Sequence, residues 1–320
     1  MKSIRGKLRC SAILLVLVAL LVGCAPNIEA EAKKLIVPDA LPGRVMQGLT
    51  GTGEQMVAQG RIHHALRVEG YENTTIDVWV INSRMIHYEP TPEGGLRAVR
   101  IRRGTVLLLH PLMTSKTWFL ELAQGLADRG WDVVLPDLRA HGRSEGEYVT
   151  WGAKEKHDIK AVVDELLNRG LIRRPIFVCG ASLGGTVAVQ YAALDPRCRG
   201  CFAIAPPKSF RAISRRILLM LSDSHYEAAY QRALELADFE PDEADAVAAA
   251  RRLTCPLLMT HGALDFVVPT DHSEAIFQAA AGPKRFLPQF LAGHASEIGK
   301  EEWIAARIGM LADMAKEAGP

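Results

Sequence analysis

The sequence predicts an α/β protein built on an open, mainly parallel sheet with helices on both faces. From residue 105 onwards, short apolar runs of strand length alternate with longer segments of helical periodicity. Some of the short runs are continuously apolar, as in Thr-Val-Leu-Leu-Leu at residues 105–109, which is typical of a parallel strand buried on both faces. The chain has 320 residues, of which 48% are hydrophobic and 23% charged, so it can bury one large core.

The elements follow in order along the chain. Two strands, at residues 65–68 and 76–81, open the sheet, and the second has a period-2 pattern typical of a half-buried strand. Residues 87–103 are rich in Pro, Gly and Arg and are predicted to form a loop. The further predicted strands are 105–109, 133–135, 176–179, 202–204, 257–259 and 286–290. The predicted helices are 117–129, 155–169, 183–194, 273–281 and 296–316.

The N-terminal segment combines positive charge with a short apolar stretch. Four basic residues within the first nine positions precede an apolar run at residues 12–22, which has the length of a secretory signal core and is short for a membrane span. The run ends in Leu-Val-Gly-Cys, which resembles the lipobox of bacterial lipoproteins. The resemblance implies that residues 1–23 are a lipoprotein signal peptide and that Cys24 carries lipid. An uncleaved membrane anchor and an ordinary secretory signal are the alternatives.

The residues after this cysteine bear on location and domain organisation. Ala25 rather than Asp follows Cys24, which in enterobacterial lipoproteins is the signature of sorting to the outer membrane. The expected location is therefore the bacterial cell envelope, with the outer membrane facing the periplasm favoured for a Gram-negative host. Residues 24–58 mix Pro, Gly, Glu and Lys without a clear period and are predicted to form a tether and lead-in. A single domain is predicted over residues 59–320.

Neither the net charge nor the cysteine spacing favours nucleic-acid binding or a metal site. The net charge is +2 and there is no basic stripe, so neither nucleic acid nor an acidic partner is favoured. A Cys198–Cys201 disulfide is conceivable in an oxidising compartment, and the alternative, which we favour, is that the cysteines of the domain stay reduced and pack as small hydrophobes. The spacing of these two cysteines resembles half of a zinc site, but no second pair of Cys or His stands at matching spacing.

A candidate nucleophile follows the strand predicted at residues 176–179. Gly-Ala-Ser-Leu-Gly at residues 180–184 matches G-x-S-x-G and opens a predicted helix, which is the setting of a nucleophile elbow. Such a turn holds the serine in a strained conformation, and small residues at Gly180 and Gly184 let the helix and the strand approach closely. We therefore predict that Ser182 is the nucleophile. The alternative is a tight strand–helix turn with an incidental serine.

The elbow and its setting resemble the alpha/beta hydrolases, in which an acid and then a histidine follow the nucleophile along the chain. Serine needs such a base to take its proton. We predict that His294 is the base, because its Ala-Gly-His-Ala turn follows the last predicted strand. Of the other histidines after the nucleophile, His225 lies among predicted helices, His261 is interpreted as structural, and His272 begins a helix.

The acid is identified by a second motif. Residues 261–269, His-Gly-Ala-Leu-Asp-Phe-Val-Val-Pro, resemble the family's H-G-x-x-D-x-x-V-P segment. The resemblance implies that Asp265 orients His294 and stabilises the imidazolium as it forms. Asp271 is the rival carboxylate and is interpreted as helix-capping or solvated.

Two further segments resemble the same family. Leu-His-Pro at residues 109–111 occupies the place of the family's His-Gly, which implies that the backbone N–H of Leu112 is one oxyanion donor and that of Leu183 the other. Proline at position 111 is a departure that stiffens the loop. Residues 136–144 resemble the family's D-x-R-x-H-G-x-S turn, whose charged and histidine residues are interpreted as structural: Asp137, Arg139 and His141.

The resemblance extends from about residue 60 to residue 320 and implies an alpha/beta-hydrolase fold with a small helical lid. The lid corresponds to about residues 207–253, which contain no strand candidate and are predicted to form two or three helices. One apolar face there comprises Ile213, Ile217, Leu218 and Leu221. Packing helices without a gating role are the alternative.

The resemblance also implies a function. A Ser-Asp-His triad of this family would cleave carboxylic esters through an acyl-enzyme intermediate, with a small-molecule ester or acyl substrate and no cofactor. The same triad can serve a peptidase, a thioesterase or an acyltransferase, and a lipid-anchored, non-catalytic binding protein is a further alternative. Activity should fall below about pH 6.5, because the base must be neutral imidazole. The oligomeric state is left open by the sequence.

Overall fold

The computed structural model describes residues 27–38, 45, 48, 50–296 and 300–319. The predicted signal peptide and Cys24 lie outside the described residues. The strands are β1 His64–Glu69, β2 Thr75–Ile81, β3 Ile86–Pro90, β4 Leu96–Arg100, β5 Thr105–Leu109, β6 Asp132–Pro136, β7 Ile176–Ala181, β8 Cys198–Ile204, β9 Leu257–Gly262 and β10 Lys284–Gln289. The helices are α1 Ile28–Ile36, α2 Gly53–Ala58, α3 Leu120–Asp128, α4 Glu155–Asn168, α5 Leu183–Leu194, α6 Phe210–Ile217, α7 Asp223–Ala237, α8 Ala246–Ala250, α9 Thr270–Ala279 and α10 Glu301–Glu317.

Eight of the strands form one sheet in the order β1-β2-β6-β5-β7-β8-β9-β10. Strands β1 and β2 pair antiparallel with each other, and β2 pairs antiparallel with β6. From β6 to β10 every pairing is parallel. The central strands β5, β6 and β7 are buried along their whole length, which explains their continuous apolar runs. The predicted sheet is therefore confirmed.

The core lies on both faces of this sheet. Alternate residues of β5 point to opposite sides: Leu107 and Leu109 pack in one cluster, Val106 and Leu108 in the other. Helices α4 and α5 cover the first face, and helices α3 and α10 cover the second. Because all the parallel strands end at the same edge, the loops after β5, β7, β9 and β10 meet there.

Residues 86–100 differ from the prediction of a loop. They form an antiparallel hairpin of β3 and β4, in which Ile86 pairs with Arg100 and Pro90 with Leu96. Both strands are almost entirely exposed, so neither carries the apolar alternation by which a half-buried strand is predicted.

The predicted tether also contains regular structure. Helix α1 begins after Asn27, whose side chain accepts a hydrogen bond from the N–H of Ala30 at 3.2 Å, and it buries Ala32, Leu35 and Ile36. It packs on helices α6 and α7. Helix α1 has only nine residues, which are too few turns for a helical period to be evident in the sequence. The helix is recognised only because its apolar residues are buried against α6 and α7.

The interval between β8 and β9 is helical, as predicted. It holds α6, α7, a 3₁₀ turn at Pro241–Ala244 and α8. Of the predicted apolar face, Ile213 and Leu218 are buried, whereas Ile217 is exposed. Within the described ranges, no helix has both the length and the apolar character needed to span a membrane.

Candidate active site

Ser182 stands at a sharp turn between β7 and α5. Its backbone has φ 52° and ψ −119°, a left-handed φ that is rare outside glycine. A Cβ on Gly180 would lie 2.1 Å from the carbonyl oxygen of Gly184. A Cβ on Gly184 would lie 2.0 Å from the carbonyl oxygen of Leu109 in β5. Only glycine fits at both positions. The two glycines of G-x-S-x-G are therefore required by the close approach of helix α5 to strands β5 and β7.

Three predicted residues from separate loops meet at this turn. The Oγ of Ser182 lies 3.0 Å from Nε2 of His294, in the turn after β10. The Nδ1 of His294 lies 2.6 Å from Oδ2 of Asp265, in the loop after β9. In a neutral ring with the proton on Nδ1, that N–H donates to the carboxylate and Nε2 accepts the serine proton. This arrangement can deprotonate the hydroxyl and stabilise the resulting imidazolium.

The carboxyl group of Asp265 is held ionised. Its Oδ1 accepts hydrogen bonds from the backbone N–H groups of Val267 at 2.9 Å and Val268 at 2.8 Å. Burial by itself would raise the pKa of Asp265, but the hydrogen bonds from His261, His294 and Val268 outweigh it and hold the pKa well below its usual range. The group therefore stays an anion when it faces the imidazole.

His261 has a contact that the sequence reasoning missed. Its Nε2 lies 2.8 Å from the carbonyl oxygen of Val268 and 3.1 Å from Oδ2 of Asp265. Its Nδ1 lies 2.6 Å from the hydroxyl of Ser273, which can donate to it. The buried ring thus donates toward the same carboxylate oxygen that His294 contacts. The four-residue separation of His261 and Asp265 in the motif was the available signal.

The loop after β5 is fixed by two neutral histidine rings. The buried His110 accepts the backbone N–H of Leu138 at 2.9 Å, and burial lowers the pKa of His110 to about 3. The Nε2 of His141 accepts the backbone N–H of Met113 at 3.3 Å. Within the described part of the chain, the N–H of the half-buried Leu112 has no hydrogen-bond partner. It is therefore available as a donor, as is the N–H of Leu183, the first of helix α5.

The D-x-R-x-H-G-x-S turn supports this loop through buried charges. The Nζ of Lys116 is fully buried and contacts the carboxylates of Asp77 and Asp137. Burial would raise the pKa of Asp137, but Lys116, together with the backbone N–H of Arg143 and the nearby His110, lowers it. Arg139 forms a two-pronged pair with Asp158 at 2.7 and 2.8 Å. These contacts agree with the structural interpretation of the turn.

The rival residues lie away from the proton-transfer chain. Asp271 pairs with Lys208 at 2.7 Å on the surface. His272 accepts the backbone N–H of Lys208 at 3.1 Å, and burial lowers the pKa of His272 to about 4. His225 contacts Ser222 at the exposed start of α7.

The cysteines of the domain are buried free thiols: Cys179, Cys198, Cys201 and Cys255. The Sγ of Cys198 donates to the carbonyl of Gly200 at 3.4 Å. Among the residues that the structure describes, no three His, Cys, Asp or Glu side chains form a group that could hold a metal ion.

A cavity of about 560 Å³ lies at the opposite edge of the sheet, where Trp131, Phe177 and Arg199 line it beside the end of α10. It is remote from Ser182, because it borders the amino ends of the strands. The aligned proton-transfer groups are a better guide to the reaction site than cavity volume, since catalysis depends on their geometry.

Comparison with known proteins agrees with this architecture. Residues 100–237 match the family model described as serine aminopeptidase, S33 (Hydrolase_4), a span that includes Ser182 but ends before Asp265 and His294. The esterase Pf2001 of Pyrococcus furiosus has a TM-score of 0.62 at 21% identity, over 85% of this chain and 98% of that one. The fold is that of the alpha/beta hydrolases.

Two curated relatives add to the resemblance. The thermostable monoacylglycerol lipase of Bacillus sp. (strain H-257) is 28% identical over 202 residues, which are 56% of this chain and 78% of the lipase. The uncharacterized protein YqkD of Bacillus subtilis (strain 168) is 27% identical over 189 residues, which are 57% of this chain. The match spans 61% of the length of YqkD.

Proposed function

We propose that this protein is a serine hydrolase that cleaves carboxylic esters through an acyl-enzyme intermediate on Ser182. The observation that carries the proposal is the hydrogen-bond chain from Ser182 through His294 to Asp265, with separations of 3.0 and 2.6 Å. The similarity to a monoacylglycerol lipase and to an esterase supports an ester as the substrate.

In the acylation step, Nε2 of His294 takes the proton of Ser182 as Oγ attacks the ester carbonyl carbon. The carboxylate of Asp265 stabilises the imidazolium. The N–H groups of Leu183 and Leu112 donate to the oxyanion. When the tetrahedral intermediate collapses, the C–O bond to the alcohol breaks, and His294 gives its proton to the leaving alkoxide.

In the deacylation step, the same groups act on water. Nε2 of His294 takes a proton from a water molecule, whose oxygen attacks the acyl carbon. The oxyanion is held by the same two N–H groups. Collapse releases the carboxylic acid, and the proton on His294 returns to Oγ of Ser182, which restores the resting site.

The proposal includes a location. Lipidation of Cys24 would anchor the enzyme to a membrane of the bacterial cell envelope, facing the periplasm from the outer membrane in a Gram-negative host. The basic n-region, the apolar run at residues 12–22 and the lipobox-like sequence support this part. Metabolic labelling with an alkyne fatty acid, compared between the full chain and its Cys24→Ala variant, tests it. Equal labelling of both would refute lipidation at this residue.

The activity is tested with p-nitrophenyl esters from acetyl to palmitoyl, alongside an aminoacyl p-nitroanilide. Ser182→Ala should abolish ester turnover and labelling by a fluorophosphonate, whereas Ser224→Ala, on the exposed side of α7, should change neither. The acyl length that gives the highest kcat/KM would indicate the size of the acyl pocket. Turnover of the anilide alone would favour the aminopeptidase activity that the family description names. If the unmodified protein hydrolyses none of these substrates and the fluorophosphonate does not label it, the hydrolase proposal is refuted.

A further inference from the structure

Large apolar side chains are exposed in four loops around Ser182. We call the exposed apolar residues of loops 113–118, 217–220, 264–267 and 290–291 the apolar collar. Six of its members are Trp118, Leu219, Met220, Phe266, Phe290 and Leu291. Met220 is 89% exposed and Leu291 93% exposed, so these side chains gain almost no burial within the chain itself.

Hydrogen bonds join three of the four loops that carry the collar. The N–H of Leu264 donates to the carbonyl of Ala292 at 3.0 Å, which joins the loop after β9 to the loop after β10. The guanidinium of Arg216 donates to the carbonyl of Phe266 at 2.6 Å, which joins the lid to the same loop. The loop after β5 lies at this edge of the sheet because all the parallel strands end there.

Such a surface requires a partner. Single exposed apolar residues are ordinary on a soluble protein, but a contiguous apolar patch marks a site of interaction. The collar loops lie at the edge of the sheet that carries Ser182 and His294, so a partner of the collar would lie next to the proposed catalytic site.

The path of the N-terminal chain indicates which partner this is. Helix α1 packs on the lid helices α6 and α7, and Arg232 of α7 donates to Glu29 at 2.7 Å. The segment before residue 27 therefore joins the molecule on the lid side. Cys24 lies three residues before Asn27, a reach of about 10 Å. An anchor in the preceding residues would thus hold the lid side, and not the opposite edge, next to a lipid surface.

Charge at the rim fits the same partner. Arg215 and Arg216 stand at the end of α6, beside the exposed Leu219 and Met220. Arg215 pairs with Asp223, whereas the guanidinium of Arg216 contacts a backbone carbonyl, and within the described residues it has no acidic partner. Apolar side chains next to an uncompensated cation are typical of a surface that enters the headgroup layer of a bilayer.

We propose that the apolar collar docks on a phospholipid bilayer, with the side chains of Trp118, Met220, Phe266 and Leu291 in the interfacial layer. The entrance to the site then faces the membrane, and an acyl substrate can pass from the lipid to Ser182 without crossing water. The docking rests on the proposed N-terminal anchor and does not depend on the proposed esterase activity; only this route for the substrate depends on that activity.

The test uses Trp118 as a reporter, because the collar contains this tryptophan at 48% exposure, while Trp79, Trp131 and Trp151 are buried and Trp303 is half-buried in α10 on the second face of the sheet. The full-length chain is reconstituted into vesicles of phosphatidylcholine and phosphatidylglycerol whose acyl chains carry bromine. Bromine should quench part of the tryptophan fluorescence, and Trp118→Phe should remove that part. The variant Met220→Asp/Leu291→Asp should weaken the quenching about tenfold or more, because it removes two apolar insertions and adds charge.

The hairpin of β3 and β4 offers the matched control. Tyr88 is 60% exposed and Leu96 71% exposed, but both lie outside the collar. The variant Tyr88→Asp/Leu96→Asp should keep the quenching of the unmodified chain. Hydrolysis of a water-soluble acetyl ester is measured on all variants in parallel, so that a loss of esterase activity is distinguished from a loss of docking.

Two results would overturn the proposal. The first is bromine quenching that does not come from the collar. It would be unchanged in Trp118→Phe, or it would be lowered equally by Met220→Asp/Leu291→Asp and by Tyr88→Asp/Leu96→Asp. The second is an unquenched Trp118 together with a dimer that Met220→Asp/Leu291→Asp converts to monomer, which would assign the collar to contact between two copies of the chain.

Discussion

The substitution Gly184→Ala tests the physical basis of the nucleophile elbow. The new Cβ would lie 2.0 Å from the carbonyl oxygen of Leu109 and 2.7 Å from that of His110. Both obstacles are backbone atoms next to a fully buried strand, so no side chain can rotate away. Helix α5 and strand β5 would have to separate by roughly 1 Å or more to restore ordinary van der Waals contact.

The size of the effect follows from that displacement. Overpacking a well-packed core typically costs about 1–3 kcal/mol, and we expect the upper end here because backbone must move. Ser182 precedes the moved residue by two positions, so its Oγ should lose its 3.0 Å alignment with His294. A displacement of about 1 Å at a reacting group can lower kcat/KM by roughly a hundredfold.

Urea unfolding followed by circular dichroism and hydrolysis of p-nitrophenyl acetate measure the two effects. Gly309→Ala is the matched control, because Gly309 lies inside helix α10 with no atom within 4 Å of the added Cβ. There alanine should raise the free energy of unfolding by about 0.5–1 kcal/mol. A Gly184→Ala protein with an unchanged urea midpoint and unchanged kcat/KM would refute the close-approach argument.

Three other predictions follow from contacts near the site. His261→Phe should lower kcat/KM about tenfold, because Asp265 loses a hydrogen-bond donor, whereas His261→Gln should retain most activity by keeping an N–H; kcat/KM is measured against pH. Lys116→Met should lower the free energy of unfolding in urea by about 3–5 kcal/mol, because it removes the buried cation that contacts the carboxylates of Asp77 and Asp137, whereas Lys34→Met on the surface should change it by less than about 0.5 kcal/mol. The depressed pKa of Asp265 stabilises the fold above its unfolded pKa, so this stability should disappear as the pH falls below about 4, and Asp265→Asn should flatten that acid decline.

Each of these has an outcome that would contradict it. Equal activities and equal pH profiles for His261→Phe and His261→Gln would show that the ring acts only by filling space. A small loss for Lys116→Met, similar to that of Lys34→Met, would show that the buried ion network contributes little. An acid decline of the same steepness in Asp265→Asn and in the unmodified protein would assign that decline to other carboxylates.

The extent of prediction from sequence differs between parts of the molecule. Strand β5 and helix α5 were predicted with their observed bounds, because one is buried on both faces and the other begins at a motif with strict backbone requirements. The β3–β4 hairpin was missed because exposure leaves it no apolar period. Helix α1 was missed because only its contact with α6 and α7 shows that its apolar residues form a buried helical face.

The same distinction holds at the site. Ser182 was predicted from its strand–turn–helix motif, and Asp265 and His294 from the resemblance to segments and chain order of the alpha/beta hydrolases. Their separations, the second donor to Asp265 from His261, and the gathering of exposed apolar residues around them depend on atoms far apart in the chain. The sequence by itself therefore determined the strand–helix alternation, the elbow and the candidate residues. Only the tertiary structure decided which of these meet, because hydrogen bonding and burial depend on distances in space and not on spacing along the chain.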